Sequence, residues 1–581
     1  MKIFLHQKNN NIGNLQNAIE SIIQTYQQSD KVGLHLFPEL FLGGYPLQDL
    51  CLQKPFISQY EKSLEQIRKV ANSANDNNIL FGGIEYELDK SREIIHIYNC
   101  IYHLGPKGLT SVYQKQLLPN YDIYDEKKYF KAGEKNGLIE INDFRICLFI
   151  CEDMWHSSTH KTDPVKKIFD ELQTQNIALD AIINLSASPF HAGKQHTRLK
   201  RGQEISTSLN APFFYVNQIG LNDEILFDGR SFILDGSTQL QADSFREEVL
   251  EYTCQKNKLA TLPVDSKTPS EIENTWENLF RANIDKEDKR LTPISESELI
   301  EIIQAQTFAL NEYAKKTKMK SFLIALSGGI DSALVVAIAH LASKASAIPV
   351  EAVYMPSQYN ANISYELSKQ LCDNIGINLK VINLKFIHQT IKMTFKDGIG
   401  EDLTGLADEN IQSRLRGNLI YARSNQTGAM VINTSNKSEL AVGYSTLYGD
   451  SVGAISLLGD LYKSEVYQLA RFINTHFNNI IPEEIITRPP SAELREGQKD
   501  EDSLPPYDRL DLILECLLSY QFSLDEICQL GIKQDELNHV FNLYHLAEFK
   551  RFQFCPVVKL KSKSFGFGYR NPILKELRFD Y

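Results

Sequence analysis

Three polar side chains in the first half of the sequence stand where short apolar runs end. Glu39 lies in Phe37-Pro-Glu-Leu40, Lys115 follows the run Leu109–Gln114, and Cys151 closes the run Arg145–Ile150. A cysteine at a strand exit, followed by acids and a possible helix start, is well placed for a nucleophile. Taken singly, each has a plain structural alternative: a turn acid, a solvated lysine and a buried thiol. His156 and His160 are four residues apart, but HExxH is missing and no third ligand is evident, so they read as a surface pair sharing a helix face.

A second constellation lies near the middle. Phe322–Leu326 reads as a short buried strand, Ser327-Gly-Gly329 as a turn, and Asp331-Ser332 as the opening of an alanine-rich helix that runs to about Ala342. Converging turn N–H groups and a helix N-terminus suit a phosphate, which glycine lets approach the backbone. No lysine sits in the turn, so this is not a Walker loop. Asp331 would instead hold a Mg²⁺ that bridges to phosphate oxygens. The plain alternative is an ordinary strand-to-helix turn. Further on, Asp408–Asn418 reads as a polar helix with two arginines, and Asn433–Asp450 follows a strand with Glu439 at a helix start. Arg488–Asp508 is proline-flanked, polar and too long for an ordinary connection, and reads as a mobile lid. The basic, aromatic stretch from Phe549 to Arg570 suits a nucleotide phosphate better than nucleic acid.

These residues need elements to hold them. A chain of 581 residues exceeds one core, and 43% apolar with 23% charged residues fits a globular enzyme. A net charge of −12 argues against general nucleic-acid binding, and no apolar run is long enough to span a membrane. Nine cysteines lack disulfide or zinc spacing, and the start turns polar too early for a signal peptide, so a reducing cytoplasm is expected. Residues 1–265 alternate short strands (Lys2–Leu5, Val32–Phe37, Ile79–Glu85, Tyr98–Leu104, Arg145–Ile150, Ala181–Leu185, Phe213–Val216) with helical stretches such as Leu15–Gln27 and Pro55–Ala74. Residues 266–295 are polar and proline-containing, as in a linker. From 296 to 581, strands at Phe322–Leu326, Pro349–Tyr354, Leu379–Asn383 and Met430–Asn433 alternate with helices, the pattern of a doubly wound parallel sheet.

Phe37-Pro-Glu-Leu40, Lys115-Gln-Leu-Leu-Pro-Asn-Tyr121 and Ile150-Cys-Glu-Asp-Met-Trp155, in this order, resemble the Glu-Lys-Cys triad segments of the nitrilase superfamily. That resemblance implies an αββα sandwich and an amidase in which Glu39 is general base, Lys115 stabilises the oxyanion and Cys151 is the nucleophile. Asn184–Lys194 is similar to the substrate segment of glutaminase members, which implies glutamine contacts from Tyr121, Ser188 and Lys194. The central loop is similar to the pyrophosphate loop of ATP pyrophosphatases. With Asn436-Lys-Ser-Glu-Leu-Ala-Val-Gly-Tyr444, Pro490-Ser-Ala-Glu-Leu494 and Asp500–Asp508, the whole chain resembles the bacterial glutamine-dependent NAD⁺ synthetases.

The resemblance implies a C-terminal fold like the adenine nucleotide α-hydrolases. ATP would contact Leu326, Ser327, Gly328, Gly329, Ile330, Asp331, Ser332, Ala333, Thr434, Lys463 and Ser491. Asn410, Glu439 and Lys550 would face deamido-NAD⁺, and Asp331 with Glu439 would hold Mg²⁺. It further implies a homo-oligomer acting on deamido-NAD⁺, ATP and L-glutamine, without nucleic-acid or membrane partners. Two departures stand out: Ser435 where many members carry glycine, and Phe554-Cys-Pro-Val557 in place of Ala-Pro-Pro-Gly. GMP and asparagine synthetases share the central loop, but they pair it with a Cys-His-Glu hydrolase or an N-terminal cysteine. Here residue 2 is lysine. A nucleotide-binding regulator with dead sites would have lost one of the five positions Glu39, Lys115, Cys151, Asp331 and Glu439, all of which are present.

Overall fold

Side-chain alternation sets the layers of the first unit. Along the strand Phe144–Ile150, Ile146, Leu148 and Ile150 face one way and Cys147 and Phe149 the other. The first set meets Ile183, Leu185, Phe214 and Val216 of neighbouring strands, and Ile3, Leu5, Leu34 and Leu36 of a second sheet. The second set packs on the helices Pro164–Gln175 and Lys194–Leu209 through Val165, Ile168, Leu172, Ile205 and Leu209. Each fully buried aliphatic side chain contributes about 1.5–3 kcal/mol, so the stacked faces hold the layers together.

The computed structural model describes all residues except 29, 72–74, 158–159, 260, 264–265, 270–283, 286, 491–492, 496, 498–499, 501–502 and 577–581. The chain divides into two compact units, Met1–Asn278 and Leu279–Tyr581. In the first, one six-stranded sheet runs in the order Glu248–Thr253, Lys2–Gln7, Leu34–Leu36, Asn78–Leu88, Ile94–Gly105, Gly108–Gln114. The other runs Thr238–Gln241, Phe232–Asp235, Phe213–Asn217, Ala181–Ser186, Phe144–Ile150, Leu138–Ile141. Leu15–Gln27 and Lys54–Lys69 pack on the first sheet, completing an αββα sandwich.

The second unit is built on five parallel strands in the order Leu379–Val381, Val350–Tyr354, Phe322–Ala325, Met430–Asn433, Ile455–Ser456. Sequence order reverses between Phe322–Ala325 and Met430–Asn433, which creates a crevice at their carboxyl ends. Ser327–Ser332 and Thr434–Glu439 both emerge there. Within the stretch expected as a linker, Ile284–Asp285 and Arg290–Leu291 form a small antiparallel pair, and Ile284 N–H donates to Tyr520 Oη at 3.3 Å. Among the described residues, no helix is long and apolar enough to cross a membrane.

One expectation fails outright. His156 and His160 do not share a helix, because they follow the single 3₁₀ turn Cys151–Met154. His156 is buried, with Nδ1 3.3 Å from Asp163. The histidine spacing of four suggested a helix face, but the chain turns back to place Asp163 at a helix N-terminus instead.

Candidate functional site

In the first unit, Glu39, Lys115 and Cys151 leave three strand ends and are all buried. Lys115 Nζ donates to Glu39 Oε1 and to Glu126 Oε1, each at 2.8 Å. Glu39 is pinned on both oxygens: Asn99 Nδ2 donates to Oε1 at 2.7 Å and Ala187 N–H to Oε2 at 2.8 Å. Cys151 opens its 3₁₀ turn at φ +40°, a left-handed conformation that costs a non-glycine residue on the order of 1–3 kcal/mol. Asn184 Oδ1 accepts its N–H at 2.8 Å.

Asp153 joins the Cys151 turn to the Lys115 segment. Its carboxylate accepts from Ile150 N–H at 3.0 Å, Gln116 N–H at 3.0 Å, Leu117 N–H at 2.8 Å and Tyr113 Oη at 2.8 Å. Burial pushes the Cys151 thiol well above its usual range, Glu39 adds to the rise and Lys115 opposes it. Burial would strip Lys115 of its proton, but Glu126 and Glu39 more than compensate and hold it charged. Burial also lifts Glu126 to about 7 against the pull of Lys115. The resting site is therefore a protonated thiol beside a fixed carboxylate and a fixed ammonium.

Two of the expected glutamine residues, Tyr121 and Lys194, act on a buried acid, Glu152, for which the sequence pattern implied no role. Tyr121 Oη donates to Glu152 at 3.3 Å. Glu152 is buried and pushed up to about 8, with Lys115 and Lys194 among the charges that restrain the rise. Lys194 begins its helix and donates to Pro189 O at 2.9 Å, while Ser188 accepts from Arg198, itself paired with Asp228 at 2.9 Å. Glu126 and Asn99 gave no signal in sequence, since their chemistry depends on tertiary contact with Glu39 and Lys115.

In the second unit, a cavity of about 260 Å³ is lined by Leu326–Ser332, with Thr434, Glu439, Lys463 and Asp500 among its other walls. Ala333 is buried one position deeper in the helix Ile330–Ser346. Gly328 has φ +86°, and a Cβ there would meet Ser364 O at 2.5 Å, so only glycine fits. Serines shape the turn: Ser327 N–H donates to Ser332 Oγ at 3.1 Å, and Gly329 N–H to Ser327 Oγ at 3.2 Å. Lys463 bonds Asp331 and reaches Glu439 Oε1 at 3.4 Å, while Asn436 Nδ2 donates to Asp331 Oδ1 at 2.9 Å.

Asn410 and Lys550 do not line that cavity; they converge on the loop after Lys437–Val442. Asn410 Oδ1 accepts from Thr446 Oγ1 at 2.8 Å, and Lys550 donates to Gly443 O at 2.6 Å and Ser445 O at 2.7 Å. Ser491 lies outside the described residues. Parts of the expected lid do reach the cavity: Arg488 bonds Ser364 Oγ at 2.8 Å and Glu493, and Asp500 accepts from Tyr507 Oη at 2.9 Å.

Residues 3–263 match the carbon-nitrogen hydrolase family model and residues 302–553 the NAD synthase model. A glutamine-dependent NAD(+) synthetase of Aquifex aeolicus is 34% identical, over 99% of both chains. The chain belongs to the glutamine-dependent NAD(+) synthetase family. Another family member, from Acinetobacter baylyi, is also 34% identical, over 100% of this chain and 99% of its own. The solved synthetase from Acinetobacter baumannii, in complex with ADP, is 29% identical with a TM-score of 0.69 over 98% of each chain. That from Cytophaga hutchinsonii shares the fold, with a TM-score of 0.76 at 20% identity.

Family membership raises the question of a magnesium ion. Burial pushes Glu439 up to about 8, Lys463 restrains it, and Asp331 and Asp500 push it further. Asp331, Glu439 and Asp500 set hard oxygen donors around Lys463, and oxygen donors of this kind fit a divalent cation. Among the described residues, no three His, Cys, Asp or Glu side chains converge closely enough to hold an ion alone. Such an ion would take its other oxygens from phosphate and water.

Proposed function

We infer that this chain makes NAD⁺ from deamido-NAD⁺, with nitrogen from L-glutamine and energy from ATP, and releases glutamate, AMP and pyrophosphate. The observation that carries this reading is one chain holding both a buried Glu39–Lys115 pair acting on Cys151 and a glycine loop facing Asp331, Glu439 and Lys463. With wild-type protein, deamido-NAD⁺, ATP and glutamine, one NAD⁺ should form per pyrophosphate. Pyrophosphate release that does not depend on deamido-NAD⁺ would overturn it.

In the glutaminase unit the buried thiol stays protonated, so attack requires a base. Glu39 takes the proton as sulfur bonds the amide carbon, and Lys115 faces the oxyanion. The carbon–nitrogen bond then breaks, and nitrogen leaves as ammonia with the proton returned by Glu39. Water, activated by the same carboxylate, hydrolyses the thioester to glutamate. Tyr121, Ser188 and Lys194 hold glutamine, and Glu152 offers a buried carboxylate to its α-ammonium.

In the synthetase unit the nicotinate carboxylate attacks the α-phosphorus of ATP, and the bond to pyrophosphate breaks. Ammonia then adds to the acyl carbon and AMP departs. Leu326–Ser332 and Thr434 hold the triphosphate, Lys463 neutralises its charge, and Asn410, Glu439 and Lys550 define the deamido-NAD⁺ side. Asp331 and Glu439 would hold Mg²⁺, which when bound would offset charge on the departing pyrophosphate. The exposed apolar side chains Phe386, Met393, Ile399 and Leu406 support a homo-oligomer, which sedimentation of the intact chain tests. Nine free cysteines suit a reducing cytoplasm.

A further inference from the structure

Asp511 is fully buried on the helix Tyr507–Glu515 and touches neither loop glycine nor cavity. A buried carboxylate is costly unless well satisfied, and its partners are informative. Oδ1 accepts from Ser438 Oγ at 2.5 Å, and Oδ2 accepts from Ser464 N–H at 2.9 Å. Ser438 Oγ in turn accepts the N–H of Lys463 at 2.9 Å. Ser438 directly precedes Glu439, and Ser464 directly follows Lys463. One carboxylate therefore ties together the first turns of Lys437–Val442 and Lys463–His476, the two helices that deliver Glu439 and Lys463 to Asp331.

The arrangement suits charge at both ends. The first N–H groups of a helix lack partners within it and favour an anion. Asp511 satisfies Ser464 directly and Lys463 through the Ser438 hydroxyl. Four residues earlier on the same helix face, Tyr507 donates to Asp500 at 2.9 Å and lies with its ring 5.4 Å from Lys463 Nζ. The helix thus touches two cavity-lining side chains, Asp500 and Lys463, with a tyrosine at its start, and braces the turns that carry Glu439 and Lys463 with an aspartate one turn on.

Resting on the synthetase reading above, we propose that Asp511 is a positioning residue that sets the separation of Glu439 and Lys463 against Asp331. It touches no substrate and acts through Ser438 and the Ser464 backbone. Removing it leaves Glu439 and Lys463 in place chemically but loosens the tie between their first turns, which then rests on the Ser438–Lys463 hydrogen bond and on Lys437 N–H donating to Leu461 O at 2.8 Å. Groups that orient ligands in this way are worth about 10–100-fold in metal affinity or activity.

The test uses the full chain with ammonia as nitrogen donor, comparing wild type, Asp511→Asn, Ser438→Ala and the double variant. Three quantities are read: kcat for pyrophosphate release, Mn²⁺ affinity with a non-hydrolysable ATP analogue bound, and the thermal midpoint. The expectation is that each single variant loses about 10–100-fold in kcat and in Mn²⁺ affinity while still folding, with a lowered midpoint because each leaves a buried polar atom unpartnered. The double variant should be no worse than the poorer single one, because both substitutions break one bridge. Wild-type Mn²⁺ affinity in Asp511→Asn, or in Ser438→Ala should the former fail to fold, would overturn the proposal. So would losses that multiply in the double variant. Inactive wild type with intact Mn²⁺ binding would instead count against the synthetase reading.

Discussion

At the scale of single residues, the two units divide the chemistry by nitrogen. Cys151 is the only side chain in the proposed mechanism that bonds substrate carbon, and only ammonia release needs it. Cys151→Ala should abolish NAD⁺ formation from glutamine and leave formation from added ammonia largely intact, since the thiol takes no part in adenylation or in the attack by ammonia. Equal loss with both donors would show that the units are not chemically separable. Glu152 supplies a pH signature. Burial holds its folded pKa at about 8, above the usual carboxylate range, so its charge is present above that pH and lost as pH falls. If that charge holds the glutamine ammonium, KM for glutamine should climb below pH 8, approaching about tenfold per pH unit. Saturating glutamine should hide the effect, and Glu152→Gln should raise KM and flatten it. A flat wild-type KM between pH 6 and 8 would remove Glu152 from the substrate.

At the scale of elements, backbone geometry makes claims of its own. Gly328 carries φ +86° and approaches Ser364 O, so Gly328→Ala should cost about 1–3 kcal/mol of stability from the backbone alone. The shifted turn should lose ATP binding, read by calorimetry with an ATP analogue. Gly329, where a Cβ would meet only Ser327 Oγ at 3.4 Å, should tolerate alanine far better, and equal losses would contradict this account. The sequence pattern made such elements legible where it was strong. Leu15–Gln27 and Met430–Asn433 match their expected bounds, the central strand ends one residue early at Ala325, and the helix after it starts at Ile330 and runs on to Ser346 rather than about Ala342. Glu248–Thr253 escaped because it alternates half-buried and exposed residues at a sheet edge, held by pairing with Lys2–Gln7 rather than by an apolar run. Glu39, Lys115 and Cys151 were legible as polar residues at strand exits, and the Glu39–Lys115 ion pair is what the structure adds to that pattern. Glu126 and Asp511 were not, since a carboxylate's role as counter-ion or brace is written only in its three-dimensional neighbours.

At the scale of the whole molecule, the proposed reaction needs nitrogen freed at Cys151 to reach an acyl adenylate formed in the other unit. Free ammonia is mostly protonated at neutral pH, and ammonium is not a nucleophile. An acyl adenylate left waiting would hydrolyse, so contact with bulk water wastes both intermediates. The described parts of Arg488–Asp508 reach the nucleotide cavity through Arg488, Glu493 and Asp500, where they can exclude water once substrates bind. Nitrogen handed over without equilibrating with solvent is therefore the expected behaviour. Unlabelled glutamine supplied with a modest excess of ¹⁵N-ammonium at neutral pH should give product amide with little label. The same mixture with the Cys151→Ala variant should give amide labelled at the bulk ratio, which shows that external ammonia remains usable. Label approaching the bulk ratio in the wild type would mean that ammonia escapes and returns, and retained transfer would have to be abandoned.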